Sequence, residues 1–353
     1  MQWHSHEILF FFGFIIFILM ILSIDLGVFN KKSHTPSFRE ALSWTAAWVA
    51  LSFLFYVLIR FFGHQLHDLQ TIQDIQNNIS LFRHPIRIDG LTYEQALDVY
   101  NRNLSLEYIT GYLIEYSLSV DNIFVMIMIF VSFGIPSKYY HKVLFWGILG
   151  AIVMRFLFIF AASALIQRFE AVLYLFGAML IFIGIKMGYE FIKGKVSDTI
   201  DTQHHPVVRF LSKHFNVTSD LKGGLFFHRA GLKVFITPLL IVLVLIEVMD
   251  VIFAVDSVPA VFSVTRDPYI VFFSNIFAIL GLRSLFFLVN NVMNKFYYLK
   301  LGLAFLMAFV GVKMIVANAF DIHISTKLSL GVITGILAFF IVLSVIFPKK
   351  EKV

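Results

Sequence analysis

Apolar residues run along this chain in long unbroken stretches separated by short polar clusters. A helix needs about 20 such residues to cross the hydrocarbon core of a bilayer. Stretches of that kind lie at 8–29, 41–62, 106–133, 143–166, 171–192, 234–264, 269–289, 301–318 and 328–347. The pattern predicts an all-α, polytopic membrane protein with nine transmembrane helices. The first stretch is too long for a signal-peptide core and follows seven residues with no Lys or Arg, which predicts a retained span.

Composition agrees. Of 353 residues 59% are hydrophobic and only 14% charged, against about 25% charged in soluble domains. The absence of Cys excludes disulfides and thiolate metal ligands. The net charge of +6 reads as topology rather than as affinity for nucleic acid. With the N-terminus outside, the cytoplasmic loops hold Lys31, Lys32, Arg39, Lys138, Lys142, the run Lys193, Lys195, Arg209, Lys213, Lys222, Arg229, then Lys295, Lys349, Lys350 and Lys352. The short outer turns hold only Arg168, Arg266 and Lys327. The positive-inside rule therefore predicts an outer N-terminus and a cytoplasmic C-terminus. The long 64–104 connection falls outside, and its 91–97 stretch reads as a short surface helix capped by Thr92.

Two segments overlay. Glu115-Tyr-Ser-Leu-Ser-Val-Asp121-Asn122 matches Asp250-Val-Ile-Phe-Ala-Val-Asp256-Ser257, with an acid at each end of a six-residue step. Arg155-Phe-Leu-Phe then matches Arg283-Ser-Leu-Phe, and Gly184-Ile-Lys186-Met187 matches Gly311-Val-Lys313-Met314. Each unit holds three helices, so the second crosses in the opposite sense, the inverted repeat of many secondary transporters. The organisation expected is two N-terminal helices (1–63), the outer connection (64–104), a first repeat (105–192), a basic cytoplasmic loop (193–232), a second repeat (233–320), and a last helix with a basic tail (321–353).

Carboxylates inside a membrane are expensive and mark functional sites. The candidates are Glu115, Asp121, Glu247, Asp250 and Asp256, with Asn122 and Ser257 beside them. Residues seven apart share a helix face and residues six apart do not, so Asp121 and Asp256 join one site only if each helix unwinds near its centre. Pro259, which leaves the Val255 carbonyl without its donor, predicts such a break in the second unit. Oxygen ligands alone suit Mg²⁺, Ca²⁺ or Mn²⁺. The competing expectation is that the acids pair with Arg155 and Arg283 as structural ion pairs. Asn275 and Asn290 read first as interhelical hydrogen-bonding groups. Asp25 and Arg60 lie at span ends, and His4, His6, His204 and His205 in a tail and a loop, where solvation is the ordinary role.

The two motifs, Gly111-Tyr-Leu-Ile-Glu115 through Val125 and Glu247-Val-Met-Asp250 through Ala260, resemble those of the TerC family of bacterial membrane proteins, which includes the Alx proteins. The resemblance implies an all-helical bundle in the bacterial plasma membrane, manganese export and a historical association with tellurite resistance. It carries the family's acidic and Asn/Ser positions onto Glu115, Asp121, Asn122, Glu247, Asp250, Asp256 and Ser257. Many members have Lys where this chain has Tyr116. The function expected is secondary transport of Mn²⁺, or of Ca²⁺, with no tightly bound cofactor and no partner beyond the cation and lipid. A scaffold in a stress-response or tellurite-resistance complex is the alternative. An intramembrane aspartyl protease is disfavoured, because Ser119-Val120 and Ala254-Val255 stand where such enzymes carry their Tyr and Gly-x-Gly signatures.

Overall fold

The computed structural model describes residues 12–21, 36–169, 171–193, 206–218, 221–230, 233–292, 298–320 and 325–347. His4, His6, Asp25, His204, His205 and the basic residues Lys31, Lys32, Lys195, Lys295, Lys349, Lys350 and Lys352 lie outside the described residues.

The chain is predominantly helical. The elements are α1 (Phe12–Ile21), α2 (Phe38–Phe62), α3 (Ile72–Phe82), α4 (Tyr93–Ser132), α5 (Tyr140–Arg168), α6 (Ala171–Ile192), α7 (Pro206–His214), α8 (Pro238–Phe262), α9 (Pro268–Leu280), α10 (Leu282–Val292), α11 (Leu299–Phe320) and α12 (Thr326–Ile346). Seven described helices are long and apolar enough to span a membrane, and α9 with α10 makes an eighth if that bent pair counts as one. The predicted first span is described only over α1, which docks through buried Phe14 onto Phe55 and Phe273.

The helix 91–97 is not a separate surface element. Thr92 caps it as expected, in a capping box with Gln95, but the helix then runs 40 residues without a break into the apolar stretch. No unwinding is found in α4 or α8 either: Asp121 and Asp256 both lie in continuous α-helix. Pro259 sits in the last turn of α8, where the chain leaves the helix three residues later, so the missing donor is absorbed by the helix end. The break comes instead at Gly281, where α9 and α10 meet at 45° and the Ser284 hydroxyl donates to the Gly281 carbonyl at 3.0 Å.

Helix α9 is buried at every residue from Pro268 to Leu280, as a helix apolar all round must be. Helices α4, α5, α8 and α2 pack around it. Helices α6 and α11 cross back to back, and a Cβ on Gly311 would lie 2.6 Å from the Gly177 carbonyl oxygen, so only glycine lets the backbones meet. Outside the bundle, β1 (Asn216–Val217), β2 (Phe227–Ala230) and β3 (Lys233–Ile236) form a small sheet of order β1-β3-β2, parallel at β1–β3 and antiparallel at β2–β3. The sequence reading had no strand there.

Candidate functional site in the bundle interior

Arg155 lies near the middle of α5 and is 1% exposed. Its Nη1 donates to the Glu115 carboxylate from α4, to Asn275 Oδ1 from α9 at 2.5 Å, and at a longer 3.4 Å to Ser257 Oγ from α8. Nη2 reaches Asp250 Oδ1, midway along α8, at 3.3 Å. Nη1 has two N–H groups for three acceptors, so the Ser257 contact is the weakest. Four helices are thereby tied at one buried point. Taking ions out of water costs several kcal/mol each, a cost offset only by close geometry and full hydrogen bonding.

Here the hydrogen bonding is incomplete. Glu115 Oε2, Asp250 Oδ2 and Arg155 Nε are all buried with no hydrogen-bond partner. Buried polar atoms are normally satisfied, and an unsatisfied one calls for a cause such as a bound water or an ion. The open atoms include one oxygen on each carboxylate. Two open carboxylate oxygens are the kind of ligand a hard cation takes.

The predicted residues divide. Glu115, Asp250 and Ser257 meet at Arg155, and Asn275 joins them. Asn122 is buried on α4, where the side chain of Asp121 lies outside what is described. Asp256 is half-buried on α8. Glu247 points elsewhere. It lines an apolar groove between α5 and α8 with Trp146, Leu149, Val153 and Leu243, and its carboxylate rests so closely on Gly150 that a Cβ there would overlap it. Among the described residues no cluster of three His, Cys, Asp or Glu could hold a metal. Arg283 is half-buried with Nη1 3.3 Å from His141 Nε2. Arg60 pairs with exposed Asp98 at 2.6 Å. Tyr116, at the position where lysine is common, stacks on Tyr112 and faces Gly281.

A second buried network escaped sequence reasoning. At the end of the bundle that carries residues 63–92, Glu107 Oε1 accepts from His84 Nδ1 (2.9 Å) and Asn103 Nδ2 (2.7 Å), and its Oε2 accepts from Thr265 Oγ1 (2.6 Å). Asp267 pairs with His67 Nε2 at 2.8 Å and accepts from the Tyr269 N–H at 2.9 Å. Burial opposes charge on His84, but Glu107 and then Asp267 outweigh it, with His67 acting the other way, and its pKa lies above the ordinary 6.5. Burial likewise opposes charge on Asp267, yet His67, His84 and the Tyr269 N–H hold it below 3.8. An acid at position 107, just inside a predicted span, was the available signal.

The sequence profile of the integral membrane protein TerC family matches residues 100–352. A membrane protein of Myxococcus xanthus, itself uncharacterized, is 40% identical over 95% of this chain and 91% of its own. Alx of Salmonella typhi is 39% identical over 94% and 92% of the two chains, and Alx of Escherichia coli K12 is 38% identical over 92% and 90%. Both Alx proteins are provisionally named membrane-bound redox modulators. No solved structure matches significantly. With a family profile over most of its length and relatives aligned over at least nine-tenths of both chains, the chain belongs to the TerC family of integral membrane proteins.

Proposed function

We propose that this chain is a secondary transporter exporting a divalent metal cation, Mn²⁺ foremost, through the carboxylate pair at Arg155. The observation that carries the reading is the pair of buried, unpartnered oxygens Glu115 Oε2 and Asp250 Oδ2. They come from the first helix of each sequence repeat, and the other oxygen of each carboxylate accepts from the same guanidinium. Arg155 acts as a tethered cation that neutralises both acids when no metal is bound. An entering divalent ion takes the two open oxygens and displaces the guanidinium toward Asn275.

We read α4–α6 and α8–α11 as an inverted repeat, the arrangement that serves alternating access. Equivalent helices pack against each other, α4 on α8, α5 on α9 and α6 on α11, and the cross pairs α4 with α9 and α5 with α8 mirror one another. We place nine spans in the bacterial plasma membrane with the N-terminus outside, on the basis of the lysine and arginine distribution. The chain is no enzyme in this reading. The redox role in the relatives' name cannot proceed through thiols here, since the chain has no Cys.

The test is Mn²⁺ flux in proteoliposomes. Glu115→Gln and Asp250→Asn variants that keep the wild-type melting profile are expected to lose nearly all uptake, and flux at the wild-type rate would remove the site.

A further inference from the structure

The connector between α6 and α8 carries seven Lys and Arg against three Asp over residues 193–237, and its described part folds into α7 and the small sheet. The sheet is held at the end of the bundle where α5 and α8 begin. One residue, Thr237, separates β3 from α8; its N–H donates to the Phe226 carbonyl at 3.0 Å and its hydroxyl to the Leu225 carbonyl at 2.6 Å. Lys142, in the first turn of α5, donates to the Gly224 carbonyl at 2.7 Å and lies 4.8 Å from the centre of the Phe226 ring. Both helices are long and apolar enough to cross a bilayer, so a sheet fixed to their first turns sits where hydrocarbon gives way to headgroups.

Side chains alternate across a strand. Val217 and Phe227 both stand opposite Ile236, and Arg229 stands opposite Val234, so all five share one face. Phe227 and Val234 are more than half exposed there, and Val217 is exposed as well, whereas His228 and Phe235 on the other face are half-buried. Helix α7, in contact with β1, adds exposed Phe210, and exposed Phe215 follows its end. A sheet with one solvated face normally turns its polar side outward; this one turns out Phe and Val. Arg209, Lys213 and Lys233 are exposed alongside. Outward apolar residues flanked by basic ones are the composition of elements that lie in a membrane interface, and the basic excess complements anionic headgroups.

We propose that α7 and the three strands form an interfacial foot lying in the headgroup layer beside α5 and α8, with Phe227 and Val234 entering the acyl boundary and Arg209, Lys213 and Lys233 holding the phosphates of anionic lipids. Arg229, on the inserted face, is a residue type whose stem lies along apolar surface while its charged head stays at headgroup level. The foot is separate from the carboxylate pair at Arg155 and rests only on the chain being an integral membrane protein.

The full chain has no native Cys, so a nitroxide attached at Phe227→Cys or Val234→Cys labels one position. Each labelled protein is placed in nanodiscs of phosphatidylcholine with or without phosphatidylglycerol, and its collisions with oxygen, which concentrates in lipid, are compared with those of a water-soluble nickel chelate. Ile185→Cys on the exposed side of α6 and Asp89→Cys in the 83–91 segment supply the lipid and aqueous references. With phosphatidylglycerol both foot labels should approach the Ile185 ratio. Each basic residue near an anionic surface shifts the balance between seated and lifted foot by about fivefold, so Arg209→Gln, Lys213→Gln and Lys233→Gln together should move both labels toward the Asp89 ratio. Labels that match Asp89 in every nanodisc, that meet neither reagent because protein covers them, or that show dipolar broadening from a second copy overturn the foot. A lipid-like ratio that ignores both phosphatidylglycerol and the triple substitution overturns the anionic headgroup assignment.

Discussion

Glu107 and Glu115 stand on one helix, eight residues apart, and both are 0% exposed. Their surroundings could hardly differ more. Glu107 has three donors on its two oxygens, whereas Glu115 has Arg155 on one oxygen and nothing on the other. A saturated carboxylate fixes the helices and loops that reach it, here α4, the 83–91 segment and the turn before α9. An unsaturated one in the same low dielectric is a standing cost, tolerable where a mobile ligand completes it. The number of donors, rather than burial or charge, separates the two acids.

The sharpest way to break this comparison is to remove the cation shared by the inner pair. Arg155→Met leaves Glu115 and Asp250 facing each other uncompensated, and breaking a buried pair in this way costs about 3–5 kcal/mol. Melting in chelator should fall accordingly, and millimolar Mn²⁺ should restore most of the loss by occupying the vacated position. A loss indifferent to Mn²⁺ would make the inner cluster as structural as the outer one.

Glu107→Gln is the reciprocal change, with a smaller effect. The amide keeps the shape and one acceptor oxygen but gives up charge-assisted bonds to His84 and Thr265, worth about 1.5–3 kcal/mol. Its melting should drop equally with and without Mn²⁺. Should the variant lose the wild-type response to Mn²⁺ instead, the open-oxygen criterion would point to the wrong acid.

Much of the architecture was readable because span length is a strong constraint: 171–192 coincides with α6, and six more predicted stretches fall on α2, α4, α5, α8, α11 and α12. Glu115, Asp250, Ser257 and Arg155 were readable because polar residues in mid-span are costly enough to need a reason. What escaped has physical causes too. The N-terminal part of α4 is too polar to register as membrane helix, although its Thr92 and Gln95 cap announced the start. A proline near a helix end is harmless, so Pro259 misled, while Gly281 broke a stretch that looked uniform. Glu247 shares its helix with Asp250, three residues on, but sequence alone does not say which neighbour each side chain meets. His67, His84 and Asp267 come from separate polar segments, where solvation is the ordinary expectation, and only the fold gathers them beneath α4.

The mildest change sharpens the outer half of the comparison through pH. A histidine whose pKa is raised on folding lends stability that is complete below its ordinary 6.5 and disappears as pH climbs through the raised value. An aspartate whose pKa is lowered lends stability that is complete above 3.8 and disappears as pH falls through the lowered value. The outer network is therefore strongest between those limits, with Glu107, Asp267 and His67 all facing His84. Wild-type melting should decline on the alkaline side of 6.5, and His84→Gln, which can still donate to Glu107 but carries no proton to lose, should flatten that decline while leaving the acid side in place. The loss in His84→Gln at low pH should be smaller than that of Glu107→Gln, because burial already opposes the imidazolium. An unchanged alkaline slope in His84→Gln would mean that the imidazole is held neutral throughout, and that Glu107 is satisfied by neutral donors alone.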